Sequence, residues 1–109
     1  MDAAWVTFQQ VSEYIHAHFG DELSIDGLAR DAHCSASHFS RMFKRELGYS
    51  PKDYLIKIRI DKSRKLLQDS SDTITDIAFT CGFATSAHFS DSFKKITGVS
   101  PSEYRRSFS

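Results

Sequence analysis

Among the side chains able to do chemistry, two cysteine–histidine groupings come first: Cys34 with His33 and His38, and Cys81 with His88. A structural zinc site needs four ligands, usually as CxxC pairs or a complete Cys/His set, and neither pattern is present. The two cysteines read as small buried thiols in a reducing compartment, and no cofactor or metal is expected. The serines and histidines have no acid partner placed for nucleophilic catalysis. No glycine-rich phosphate loop occurs either, so an enzyme is not expected. What remains is hydrogen bonding and positive charge. Ser37, Ser40 and Arg41 lie close together, followed by Lys44, Arg45 and Lys52. The planar fork of arginine can grip two adjacent acceptors, such as guanine O6 and N7. The neighbouring cations suit phosphate, which positions a protein on a duplex without specifying a sequence.

Composition at first opposes that reading. The chain of 109 residues is 40% hydrophobic and 26% charged, with a net charge of zero. The distribution is uneven, however. Residues 1–24 hold Asp2, Glu13, Asp21 and Glu22 and no Lys or Arg, for a charge of −4. Residues 25–69 hold ten cations and six acids (+4), and residues 70–109 hold four of each. An acidic front end therefore hides a basic middle section. No apolar run approaches the roughly 18 residues of a membrane span. The first twenty residues lack the cationic start of a signal peptide, so a cytoplasmic protein is expected.

The elements that must position these side chains come from a repeat. Shifted by fifty, His38-Phe39-Ser40 falls on His88-Phe89-Ser90, and Phe43-Lys44 on Phe93-Lys94. Gly48 then falls on Gly98, Ser50-Pro51 on Ser100-Pro101, and Tyr54 on Tyr104, making nine identities across seventeen positions. Upstream, Ile25, Leu28 and Ala29 match Ile74, Ile77 and Ala78 at a shift of forty-nine. Thr73 with Asp76, Ser50 with Asp53 and Ser100 with Glu103 have capping-box spacing. Pro51 and Pro101 fit the first position of a helix, and Gly48 and Gly98 fit left-handed terminators. Seven helices are predicted, over 4–19, 25–32, 36–47, 51–68, 74–81, 86–97 and 101–107, with no strand. Trp5, Phe8, Val11, Ile15 and Phe19 form the apolar stripe of the first.

A helix of about eight residues, a short turn and a helix of about twelve have the spacing of a helix-turn-helix. Ala29 and Ala78 fit close helix crossings, and Gly82 fits a turn with positive φ. His33 stands where Gly82 does in the second repeat, so the first turn is less typical. On helix 36–47, Phe39, Phe43 and Leu47 are expected inward, with Ser37, Ser40, Arg41 and Lys44 opposite. Arg41 is the strongest candidate base reader, with Lys44, Arg45 and Lys52 on phosphate. On helix 86–97, Phe89, Phe93 and Ile96 are expected inward and Ser86, Ala87, Ser90 and Asp91 outward, followed by Lys94 and Lys95. Asp91 takes the place of Arg41 and can accept from a cytosine N4 amine. His38 and His88 fit either a partly buried ring beside the turn or a phosphate contact. On helix 51–68, Lys57, Arg59, Lys62, Arg64 and Lys65 read mostly as a solvated face, a minority packing their stems or touching phosphate.

Ile77-Ala78, Gly82-Phe83, Phe89, Phe93-Lys94, Gly98, Ser100-Pro101 and Tyr104-Arg105 together resemble the signature of the AraC/XylS family of bacterial transcription regulators. Tyr54-Leu55, Arg59 and Leu66-Leu67 resemble its connecting helix, with Ser63 where Ala is common. The resemblance covers about residues 5–107. It implies an all-α, homeodomain-like fold with two helix-turn-helix subdomains, 1–50 and 69–109, joined by a linker helix over 51–68. A helix of that length is about 27 Å long and could help hold two reading helices about one DNA turn apart. By position the resemblance implies base readers Ser37, Ser40 and Arg41, and Ser86, Ala87, His88, Ser90 and Asp91. The phosphate set is His38, Lys44, Arg45, Lys52, Lys94 and Lys95. The expected function is sequence-specific DNA binding in the cytoplasm at the nucleoid, more readily in activation than repression. The other reading is a protein-interaction module that contacts RNA polymerase or another regulator. The chain reads as monomeric, and a longer parent would dimerise through another domain.

Overall fold

The computed structural model describes residues 3–21, 25–31 and 35–108. Among them are seven α-helices: α1 (Ala3–His18), α2 (Ile25–Asp31), α3 (Ala36–Leu47), α4 (Pro51–Asp69), α5 (Ile74–Thr80), α6 (Ser86–Thr97) and α7 (Pro101–Arg106). The described residues contain no strand. The all-α class with two helix-turn-helix pairs and a long linker helix is therefore what the sequence led one to expect. The chain divides into two compact units, Met1–Leu55 and Ile56–Ser109, the division falling inside α4.

The helix ends follow local chemistry. Thr73 Oγ1 accepts from the Asp76 N–H at 3.0 Å, and Ser50 Oγ from the Asp53 N–H at 3.2 Å. At Ser100 the Glu103 N–H donates to Ser100 Oγ at 3.1 Å, and the same hydroxyl lies 3.2 Å from Glu103 Oε1. Each of these serves an N–H group that a helix start leaves without an internal partner. Gly48 (φ +83°) and Gly98 (φ +88°) close α3 and α6 in the left-handed region, donating to the carbonyls of Lys44 and Lys94. Two caps escaped the reading of the sequence. Ser35 accepts from the His38 N–H and Thr85 from the His88 N–H, starting both α3 and α6. No acid follows three residues later at either place, so neither shows the capping-box pattern.

In the first unit the described core includes Val11, Ile15, Leu28, Ala29, Phe39 and Phe43, all buried. The rings of Phe39 and Phe43 lie 5.7 Å apart, and Tyr54 meets Phe43 edge-on at 5.5 Å. The Tyr54 hydroxyl reaches α1, at 2.8 Å from Ser12 Oγ and 3.1 Å from His16 Nε2. Phe19 lies just past α1 and is half-buried, and the side chains of Trp5 and Phe8 lie outside the described residues. So does the turn at His33 and Cys34.

The second unit repeats the arrangement. Phe89 and Phe93 lie 5.8 Å apart, Tyr104 meets Phe93 edge-on at 5.3 Å, and the Tyr104 hydroxyl accepts from Gln68 on α4 at 2.8 Å. Its core joins Ile60 and Leu67 of α4 to Ile77, Ala78, Cys81, Phe83, Phe89 and Phe93. Thus α4 serves this unit as α1 serves the first, supplying the helix that the aromatic ladder packs on. Ser63 is fully buried, and its hydroxyl donates to the Ile60 carbonyl at 2.7 Å. A polar atom satisfied inside its own helix can stand where a methyl group would otherwise pack.

Ile96 is exposed, contrary to the expectation that it faces inward. From Phe89 and Phe93 the buried row continues by four to Thr97, which is half-buried. Thr97 Oγ1 lies 2.8 Å from the Phe93 carbonyl and 3.0 Å from that of Val99, tying down the helix end. The cations of α4 do not form one solvated face. Lys62 and Lys65 are exposed, but Arg59 and Arg64 are half-buried. Arg59 lies over the Phe83 ring, 5.8 Å from its centroid. A guanidinium is weakly hydrated and planar, so it stacks on an aromatic face at lower desolvation cost than an ammonium.

Cys81 is completely buried and unpaired in this core. Burial pushes its thiol up to about 11, while Arg59 pulls weakly the other way. At pH 8 the thiolate fraction in the folded chain is then roughly one in a thousand. Peptide-resolved mass spectrometry should find Cys81 unmodified by iodoacetamide in native protein and fully modified in denaturant. Rapid native labelling would show that the pocket around it opens. Because the folded value lies above the ordinary 9.0, the protonated thiol's contribution to stability is present below pH 9 and falls as pH rises toward 11.

Candidate nucleic-acid interface

The two recognition-helix candidates are built alike. From Ala36 to Gly48 and from Ser86 to Gly98, the order of exposed, half-buried and buried residues is identical at all thirteen positions. Phe39 and Phe43 in one, Phe89 and Phe93 in the other, are the buried anchors. Between and around them, Ser37, His38 and Arg41 are exposed in α3, and Ala87, His88 and Asp91 in α6. Ser40, Ser86 and Ser90 are half-buried beside them. A helix held by two rings four residues apart has its outward face set for it. The position midway between the rings, Arg41 in α3 and Asp91 in α6, points to solvent.

Beyond these faces lie the cations. Lys44 and Arg45 on α3, Lys52 on α4, and Lys94 and Lys95 on α6 are all exposed. Arg45 sits 3.8 Å from Glu46, a pair open to water on both sides and of little energetic weight. His38 and His88 are exposed, not partly buried, although the His88 ring meets Phe83 edge-on at 5.3 Å. No group of three or more His, Cys, Asp or Glu residues able to hold a metal occurs among the described residues.

The turn between α5 and α6 is built as its glycine implies. Gly82 has φ +95°, and its N–H reaches the Phe79 carbonyl at 3.0 Å while the Phe83 N–H reaches that of Ala78, also at 3.0 Å. This closes α5 and drops Phe83 into the core, where it meets Phe89 at 5.3 Å. Ala78, fully buried, keeps α5 close to its neighbours.

Residues 28–107 match the family model described as a helix-turn-helix domain. Solved structures agree in fold and sequence. The C-terminal domain of AraT, a response regulator from Geobacillus stearothermophilus, is 38% identical with a TM-score of 0.86, covering 93% of this chain and 84% of that one. An AraC-type transcriptional regulator from Chromobacterium violaceum is 28% identical with a TM-score of 0.84, covering 96% and 94%. This chain belongs to the AraC/XylS family. It is an AraC-type helix-turn-helix DNA-binding domain of a transcription regulator, and the family is one of regulators rather than enzymes.

Two further proteins are similar to this chain. The DNA-binding domain of AdpA, a global transcriptional factor solved in complex with a target DNA, is 27% identical with a TM-score of 0.87, covering 93% and 91%. The HTH-type transcriptional activator RhaS of Escherichia coli O139:H28 is 37% identical over 73 residues. That match takes in 67% of this chain but 26% of RhaS, so the chain spans about a quarter of the length of such curated relatives. No helix among the described residues is long and apolar enough to cross a membrane.

Proposed function

We propose that this AraC-type domain binds promoter DNA sequence-specifically, α3 and α6 each entering a major groove, within a bacterial regulator that activates transcription in the cytoplasm. The observation that carries this reading is the matched pair of outward faces between buried phenylalanines on α3 and α6. Each face is short, polar and bordered by exposed cations, as a helix needs to be to meet base edges with phosphates on either side. The relative solved with a target DNA and the activator RhaS support the same reading.

Within it, Ser37, Ser40 and Arg41 read bases from α3, and Ser86, Ala87, His88, Ser90 and Asp91 from α6. His38, Lys44, Arg45, Lys52, Lys94 and Lys95 hold phosphates. Selection from random duplexes at moderate salt should return a defined sequence, with affinity falling steeply as salt rises. Arg41→Ala should cost about 1–3 kcal/mol and relax one base position. Equal weakening on every sequence would instead make Arg41 a phosphate contact. Selection of no sequence at all would remove the proposal.

A further inference from the structure

We propose that α6 is a pyrimidine reader, in which Asp91 accepts a hydrogen bond from a cytosine N4 amine and Ala87 packs on the C5-methyl of a nearby thymine. This rests on the reading above, that α6 enters a major groove.

Ala87 and Asp91 are four residues apart, on one side of α6, and both are exposed. Asp91 makes no ion pair among the described residues, although Lys94 and Lys95 lie on the following turn. It is an open carboxylate, able only to accept. Placed beside phosphate it would be repelled, so a position facing base edges has to supply it with a donor. In the major groove guanine shows two acceptors, and thymine one acceptor and a methyl group. Adenine shows an amine next to the N7 acceptor, which repels the second oxygen of a carboxylate. Cytosine shows the N4 amine alone on its edge.

The neighbours of Asp91 fit the same conclusion. Its side chain is short and can reach a base only if the helix backbone approaches closely. Ser86, Ala87 and Ser90 on this face are small and allow that approach, with the larger His88 exposed beside them. Ala87 offers a methyl group and no hydrogen bond, which favours the thymine methyl among major-groove features. The corresponding positions of α3 hold Ser37 and Arg41, a donor set matched to purine acceptors. The two helices thus read with opposite hydrogen-bond polarity.

The test is selection from random duplexes with the wild-type domain, Asp91→Asn and Ala87→Gly, each first shown to be helical by circular dichroism. Wild type should prefer cytosine at one position of the α6 half-site by roughly tenfold. Asp91→Asn should move that preference to adenine, whose N6 and N7 suit an amide. Replacing the selected thymine by deoxyuridine removes only the methyl group. It should weaken wild type about fourfold and leave Ala87→Gly unchanged. If Asp91→Asn tightens binding equally on every duplex with base preferences intact, or if deoxyuridine has no effect on wild type, the inference is wrong while DNA binding stands. If wild type selects no sequence, the inference falls together with the reading it rests on.

Discussion

Phe93→Ala is expected to cost about 3–5 kcal/mol, the range for emptying a fully buried aromatic site. Phe93 is completely buried, and its ring contacts Phe89 at 5.8 Å on one side and Tyr104 at 5.3 Å on the other. Removing it leaves a hole at the point where α6 and α7 meet, and it takes the middle ring out of the aromatic ladder. Whole domains retain only about 5–15 kcal/mol of net stability. A unit of residues 56–109 alone has less surface to bury and is closer to the threshold. The expected result is therefore loss of α6 as an ordered helix at ambient temperature, with alkylation of Cys81 under native conditions as the local readout. Ile96→Ala serves as the comparison three residues along. Its side chain is 42% exposed, so its cost should stay within about 0.5 kcal/mol. Equal costs at the two positions would mean that the burial assigned to α6 is wrong.

Arg105→Ala is expected to destabilise the same unit by about 2–4 kcal/mol, a figure reduced for the partial exposure of the side chain. Nε of Arg105 donates to the Leu67 carbonyl at 3.3 Å, Nη2 to that of Ser70 at 3.2 Å, and Nη1 to that of Asp72 at 2.6 Å. The last four carbonyls of a helix have no partner within it, and Leu67 belongs to the last turn of α4. One guanidinium thus ties the end of α4, the loop after it and α7 together, with its charge set at the negative end of the helix dipole. Arg105→Lys should recover little of the loss, since a single ammonium cannot span three carbonyls in different directions. Chemical denaturation of the three proteins would measure this. Lysine performing as well as arginine would show that charge, not the fork, is what matters.

The residue pattern alone located most of this domain because most of its signals are local. A capping hydroxyl acts three residues away, a left-handed glycine acts on its own turn, and a proline at a helix start affects one N–H. The ends of α3 and α6, closed by Gly48 and Gly98, therefore agree with the sequence reading to the residue, whereas the Ser35 and Thr85 caps at their starts lack the capping-box pattern and were not read from it. The departures come where contacts depend on distant chain. Ile96 and Thr97 both suit a 3.6-residue period after Phe93, and only packing against the rest of the unit chose the threonine. Arg59 and Arg64 carry the composition of a solvated helix face, but the ring of Phe83, twenty-four residues from Arg59, covers one of them. Arg105 was legible as part of a family signature, yet its three carbonyl partners lie more than thirty residues upstream.

By itself, the amino-acid sequence determined the repeat, the helix boundaries, the family and the set of side chains between the anchoring phenylalanines. Periodicity, caps and turn residues are properties of a few neighbours, and family membership is a property of their order. Tertiary structure alone decided that Thr97 rather than Ile96 turns inward, that Arg59 lies over the Phe83 ring, and that Arg105 closes α4. Exposure and partnership are set by what other segments cover, and covering is a relation between residues far apart in the chain.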